Sequence, residues 1–127
     1  MNYYQKKQLN ITFEEALEKT KKELSKEGFG VLTEINVKTT LKNKLNVEYE
    51  NYIILGACNP PFAHKAIQLE KEIGLLLPCN VIVYEENKKV FVSVILPTIG
   101  MNMVDNIILA DIAKEVEIKL LKVIKKL

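Results

Sequence analysis

The sequence predicts an α+β fold in which a curved, mostly antiparallel sheet carries helices packed on one face. Short segments rich in β-branched residues alternate with long amphipathic segments, and a turn joins two of the strands directly. The predicted order is β-α-β-β-α-β-β-α, and hairpin connections of this kind favour antiparallel pairing. The length of 127 residues is close to the commonest domain size, so we expect one domain over residues 1–127.

The first quarter of the chain combines an edge strand, a helix and a second strand. Residues 2–9 are typical of an irregular edge strand. Thr12 and Glu15 form a capping box at the start of a helix, and Gly28 supplies the left-handed position that ends it. Residues 29–35 are predicted to form the next strand. The helix face expected to be buried consists of Phe13, Ala16, Leu17, Thr20 and Leu24.

The middle of the chain is less regular. Residues 37–45 are amphipathic but short, which allows one or two helical turns or an ordered loop. Residues 49–57 form a strand whose consecutive Ile53, Ile54 and Leu55 suggest burial on both faces.

A helix is expected directly after this strand. Pro60 and Pro61 suit a first helical turn, where a missing N–H costs nothing. Asn59 is the expected cap, and the helix is predicted to run to about Lys71.

The last third contains a hairpin and a long helix. Residues 81–84 and 90–96 are strands joined by a turn at 86–88, and Pro97 stops the second strand. Residues 100–104 are predicted as a loop, with Asp105 as the cap of the last helix. The apolar stripe expected to lie across the sheet consists of Ile108, Ile112, Ala113, Val116, Leu120, Val123, Ile124 and Leu127.

Charge and composition exclude several partners. The net charge of +2 is too small to favour nucleic acid or an anionic membrane. No apolar run approaches the ~20 residues that span a bilayer, and the first residues lack the apolar segment of a signal peptide. We therefore expect a cytoplasmic protein with reduced thiols.

The residues from Cys58 to Cys79 include the best candidates for chemistry. Cys58 is placed at a strand tip just before a helix, where the helix dipole lowers a thiol pKa. The alternative is that Cys58 is a small buried apolar residue.

His64, the single histidine, is predicted in the second turn of that helix, close enough to pair with Cys58. Cys58, His64 and Cys79 supply three ligands for a soft metal, with Glu70 as a fourth, although the spacing matches no known zinc module. A reversible disulfide between Cys58 and Cys79 is a further alternative.

Several motifs in order resemble a bacterial and archaeal family, the domain of unknown function 302. They are residues 27–34 (EGFGVLTE), 56–61 (GACNPP), 63–66 (AHKA) and 73–81 (IGLLLPCNV), followed by Val83 and Tyr84. The resemblance extends over essentially the whole chain. It implies a fold similar to the TATA-binding-protein half-domain and a tendency to form homodimers. It also implies that Cys58, Asn59, Pro60, Pro61, His64 and Cys79 belong to the family pattern, while naming no activity and no cofactor.

Three hypotheses follow for the function. The first is a homodimeric small-ligand- or metal-binding protein whose site contains Cys58, Asn59, His64 and Cys79, with Cys58, His64 and Cys79 as the metal ligands. The second is a thiol-dependent enzyme with Cys58 as nucleophile and His64 as base. The third is an interaction or structural module without chemistry.

Overall fold

A five-stranded antiparallel sheet forms the centre of the computed structural model, which describes residues 2–127. The strand order is β1-β5-β4-β3-β2, and every neighbouring pair is antiparallel. The expected α+β architecture is thereby confirmed. The strands are β1 (Tyr4–Leu9), β2 (Gly30–Asn36), β3 (Tyr52–Cys58), β4 (Cys79–Glu86) and β5 (Lys89–Ile95).

Within residues 2–127, five α-helices and two 3₁₀ segments lie between the strands or follow the last one. The helices are α1 (Phe13–Lys26), α2 (Val37–Leu45), α3 (Pro60–Leu69), the single turn α4 (Pro97–Gly100) and α5 (Ile107–Lys126). The 3₁₀ segments are Lys71–Leu76 and Met101–Met103. None of the helices within residues 2–127 has the length and apolar character needed to cross a membrane.

The ends of α1 are formed as the sequence predicts. Thr12 Oγ1 accepts a hydrogen bond from the Glu15 N–H at 3.1 Å, and Glu15 Oε1 accepts one from the Thr12 N–H at 3.1 Å. Gly28 has φ +87°, a left-handed conformation that costs glycine little. The structure thus confirms the capping box and the terminating glycine. Both features could be predicted because they depend only on neighbouring residues.

The start of α5 differs from the prediction. Asn106, not Asp105, occupies the cap position, and its side chain accepts from the Leu109 N–H at 3.0 Å. Leu109 is buried, whereas Ile108, which was expected in the buried stripe, is 59% exposed. Asp105 and Asn106 are both good N-cap residues, so the sequence does not determine at which of them the helix begins.

The inner face of the sheet packs against α1 and α5. The strands contribute Leu9, Ile53, Leu55, Ala57, Val81, Val83, Val90, Val92 and Val94 to this core. Ile54 lies between two buried neighbours on β3 but is only half-buried, because it points to the opposite side. The expectation of burial on both faces of this strand is therefore wrong.

The other side of the sheet carries a row of aromatic side chains. Tyr52 stacks on Tyr84 with ring centroids 5.4 Å apart, and Tyr84 stacks on Phe91 at 5.3 Å. The ammonium of Lys6 lies 5.0 Å from the Phe91 ring centre, a cation–π geometry. We call this side the outer face; its members are Tyr4, Lys6, Tyr52, Ile54, Ile82, Tyr84, Phe91, Ser93 and Ile95.

Candidate functional site: an apolar cavity at one end of the sheet

An apolar cavity of about 270 Å³ lies beside the strand ends where β3 stops and β4 begins. Helices α3 and α5 and the 3₁₀ segments complete its wall. The lining includes Phe29, Leu32, Ala57, Cys58, Asn59, Phe62, Ala63, Ala66, Ile67, Gly74, Leu77, Pro78, Cys79, Pro97, Met101, Leu109, Ile112, Ala113 and Val116.

The position of the cavity follows from the way two hydrophobic clusters meet. Ala57 and Val116 belong to the main core, whereas Ala66 and Leu109 belong to a smaller cluster around Ile73. The wall between the clusters is built partly from alanines, whose short side chains leave the space unfilled.

A bulge in β2 adds one residue to the wall. The register of β2 against β3 shifts between Val31 and Thr33, so Leu32 is the extra residue. A bulge of this kind redirects a side chain out of the regular alternation. Leu32 lines the cavity and is 68% exposed, so the cavity wall continues to the protein surface.

The two cysteines both line this cavity. Cys58 is the last residue of β3, and Cys79 is paired in register with the preceding residue, Ala57. Both are free thiols and both are half-buried. Burial raises the pKa of the Cys79 thiol to about 11, and the nearby Cys58 adds to the rise. Cys79 is therefore a neutral thiol at physiological pH.

Asn59 is at the predicted cap position of α3 but does not cap the helix. Its side-chain oxygen accepts no bond from the first turn. The side-chain amide instead donates to the carbonyl of Glu27 at 3.1 Å, at the end of α1. Asn59 is buried, and this bond ties the end of α1 to the start of α3 beside the cavity.

His64 lies apart from the cysteines. It follows Pro60 and Pro61 on α3, as predicted, but its side chain is exposed and is not among the residues that line the cavity. The hypothesis of a Cys58 nucleophile activated by His64 therefore gains no support from this arrangement.

The residues predicted as metal ligands are not gathered around one point. Within residues 2–127, no group of three or more His, Cys, Asp or Glu side chains is placed to hold a metal ion. The structure brings Cys58, Asn59 and Cys79 to the same cavity and leaves His64 outside it. What they share is an apolar space with a few weakly polar groups on its wall.

Most of the cavity wall was not predicted as functional. Phe62, Ile67, Ile112 and Val116 have the helical spacing of ordinary core residues, so nothing local marks them as cavity-lining. Met101 lies in the segment predicted as a loop; it lines the cavity, whereas Met103 is exposed.

The fold and the cavity define a class of protein: a small α+β protein with one antiparallel sheet, helices on its inner face and an apolar cavity at one sheet end. It is similar over 98% of both chains, with a TM-score of 0.91 and 27% identity, to a crystal structure of an uncharacterised conserved protein, DUF302, from Bacillus stearothermophilus. A family model described as domain of unknown function DUF302 matches residues 5–127. The chain therefore belongs to that family. No curated protein matches it.

Proposed function

We propose that this protein is a homodimeric binding module that takes up a small, uncharged, apolar molecule in the cavity beside Cys58 and Cys79. The observation that carries the proposal is the cavity itself. Its volume of about 270 Å³ lies just below the lower end of the ~300–1,000 Å³ range of small-molecule sites. A well-packed interior of this size leaves few spaces larger than a water molecule.

The wall chemistry supports a neutral ligand. The raised pKa of Cys79 reports surroundings that disfavour charge, and they would disfavour a charged ligand for the same reason. The amide nitrogen of Asn59 is already bonded to the Glu27 carbonyl. The thiols of Cys58 and Cys79 remain as weak donors that would orient one polar atom of the ligand.

The ligand class is tested with a matched pair of probes, 1-hexanol and hexanoate, which share one chain and differ in charge. Each is titrated into ¹⁵N-labelled protein while amide resonances are recorded. We expect saturable shifts at cavity residues with 1-hexanol and at least ~10-fold weaker binding of hexanoate, because burying a carboxylate is costly. Equal binding of the two probes, or no saturable shift with either, would contradict the proposal.

The location is tested by filling the cavity. Ala113→Leu adds bulk to a buried wall position of α5 and should abolish 1-hexanol binding. Ala110→Leu, on the exposed side of the same helix, is the matched control and should bind as the wild type does. Because Ala113→Leu overpacks the core, Ala63→Leu at a half-buried wall position provides a second variant. Retained binding in a folded filling variant would place the ligand elsewhere.

The outer face favours a second function, that of an interaction module. Aromatic and aliphatic side chains occupy this side of the sheet in a contiguous group. Contiguous apolar groups of this kind are found more often on surfaces that contact a partner than on surfaces exposed to solvent. The two functions occupy different parts of the molecule and are compatible with each other.

A further inference from the structure

The segment from β2 to the start of β3 has no buried residue. Every residue from 30 to 50 is either exposed or half-buried, although the segment contains a complete helix. Helix α2 has nine residues, and isolated helices shorter than ~12–15 residues are marginal in water. Most helical stability in proteins comes from packing, so a helix without a buried side chain is expected to pack against something further.

The helix carries an apolar stripe suited to such packing. Val37, Leu41 and Leu45 recur at intervals of four and share one side of α2. Leu45 is 66% exposed, and Tyr49 on the following extended segment is 51% exposed. We call helix α2, residues 37–45, the arm.

The outer face offers a complementary groove. One open space of about 470 Å³ is lined by Tyr4, Ile82 and Ile95 among others, and a second of about 450 Å³ adjoins Tyr49. Both spaces are bordered by Tyr52 and Tyr84, so they adjoin each other along the face, and together we call them the groove. Its lining combines aromatic and aliphatic side chains with the polar Lys6, Asn80 and Ser93.

The charges of the arm and the groove are opposite. The end of the groove near Tyr49 is lined by four carboxylates, Glu48, Glu50, Glu85 and Glu86. Helix α2 carries Lys38, Lys42 and Lys44. Lys42 is already paired with Glu48 of its own chain, while Lys38, Lys44, Glu50 and Glu86 are exposed.

We infer that the arm of one chain docks in the outer-face groove of a second copy, and that the second copy returns the same contact. The occupant is a second copy because one chain carries both complementary surfaces. In a two-fold symmetric dimer each arm lies in the partner's groove, so both surfaces of each chain are covered at once, as an isologous interface requires. The apolar stripe of α2 covers the partner's aromatic row, and its lysines face the partner's glutamates. The inference rests on the proposed homodimer and names its interface.

A charge exchange tests this pairing. One variant carries Lys38→Glu with Lys44→Glu, and the other carries Glu50→Lys with Glu86→Lys. Each alone opposes like charges in both halves of its dimer, so sedimentation equilibrium should show dimerisation weakened at least ~10-fold. In an equimolar mixture every arm meets a groove of opposite charge, so a heterodimer should form with near wild-type affinity.

The control for net charge is Lys114→Glu with Lys122→Glu, two exposed positions on α5, which should dimerise as the wild type does. The apolar contact is tested by Leu45→Asp against Ile118→Asp, a comparably exposed control on α5. A wild-type protein that is monomeric at all concentrations would overturn the homodimer and this interface together. A stable dimer indifferent to the arm and groove variants, or variants that do not recover on mixing, would overturn only the interface.

Discussion

At the residue scale, Asn59 shows how a correct position can serve a different role. The sequence places it before two prolines, where an N-cap belongs, and the structure puts it there. Its amide nevertheless donates to the Glu27 carbonyl, a residue far away in the chain. A cap is predictable because its partners are three residues away, whereas this bond depends on the packing of α1 beside α3.

Replacing Asn59 by Asp separates the two roles. Aspartate is as good a cap as asparagine but cannot donate to a carbonyl. Asn59→Asp and Asn59→Ala should therefore each lower the free energy of unfolding by about 1–3 kcal/mol, measured by urea denaturation. The control is Asn106→Asp, where the side chain accepts from the Leu109 N–H and aspartate should serve equally well. Wild-type stability of Asn59→Asp would contradict the assigned bond.

Cys79 predicts a dependence of stability on pH. Its thiol keeps its proton in the folded protein up to a pKa of about 11, whereas 9.0 is the reference value. Below about pH 9 neither state loses this proton, so its contribution to stability is fully present. Between 9 and 11 the unfolded chain releases the proton first, and stability falls as the pH rises, by at most roughly 3 kcal/mol.

Alkylation measures the same property directly. At pH 9, Cys79 in the native protein should react with iodoacetamide roughly 50-fold more slowly than in urea, because only the thiolate reacts. Mass spectrometry separates the peptide of Cys79 from that of Cys58. Equal rates in the native and unfolded states would show that the thiol is not held neutral by burial.

At the element scale, the sequence predicted helix ends and turns correctly where these depend on residues adjacent in the chain. The capping box and Gly28 defined α1, and the turn at Asn87 and Lys88, both with positive φ, joins β4 to β5 as expected. Helix α2 was left open between helix and loop, and its stripe is only partly covered by its own chain: Val37 and Leu41 are half-buried, whereas Leu45 is exposed. An amphipathic pattern predicts that one face of a helix is buried, but it does not indicate which surface covers that face.

The cavity was beyond sequence reasoning for a related reason. Its wall joins the end of one strand, a bulge, two helices and two short 3₁₀ segments. The cysteines were found because thiols are chemically conspicuous, and the pair does border the cavity. The alanines that create the space are unremarkable along the chain, since a missing side chain matters only where neighbouring elements fail to fill it.

At the scale of the whole molecule, the chain divides into a densely packed part and an exposed part. The inner face of the sheet, α1 and α5 share one core, whereas the arm contributes nothing to it. Regions with few buried contacts open at lower free energy than the core. The arm should therefore be the least stable folded segment of an isolated chain, and docking in a partner should change its stability more than that of any other segment.

Amide hydrogen exchange tests this division together with the proposed interface. In the monomer-favouring variant with Lys38→Glu and Lys44→Glu, the amides of α2 should exchange close to unprotected rates, because little packing opposes their opening. In the wild-type protein their protection should increase with protein concentration, since dimerisation stabilises the docked form by mass action. The amides of β5, paired on both sides, should change little and serve as the internal control. Equal protection of α2 in the variant and the wild type would mean that the helix is held by contacts within its own chain, and the arm would then have no need of a partner.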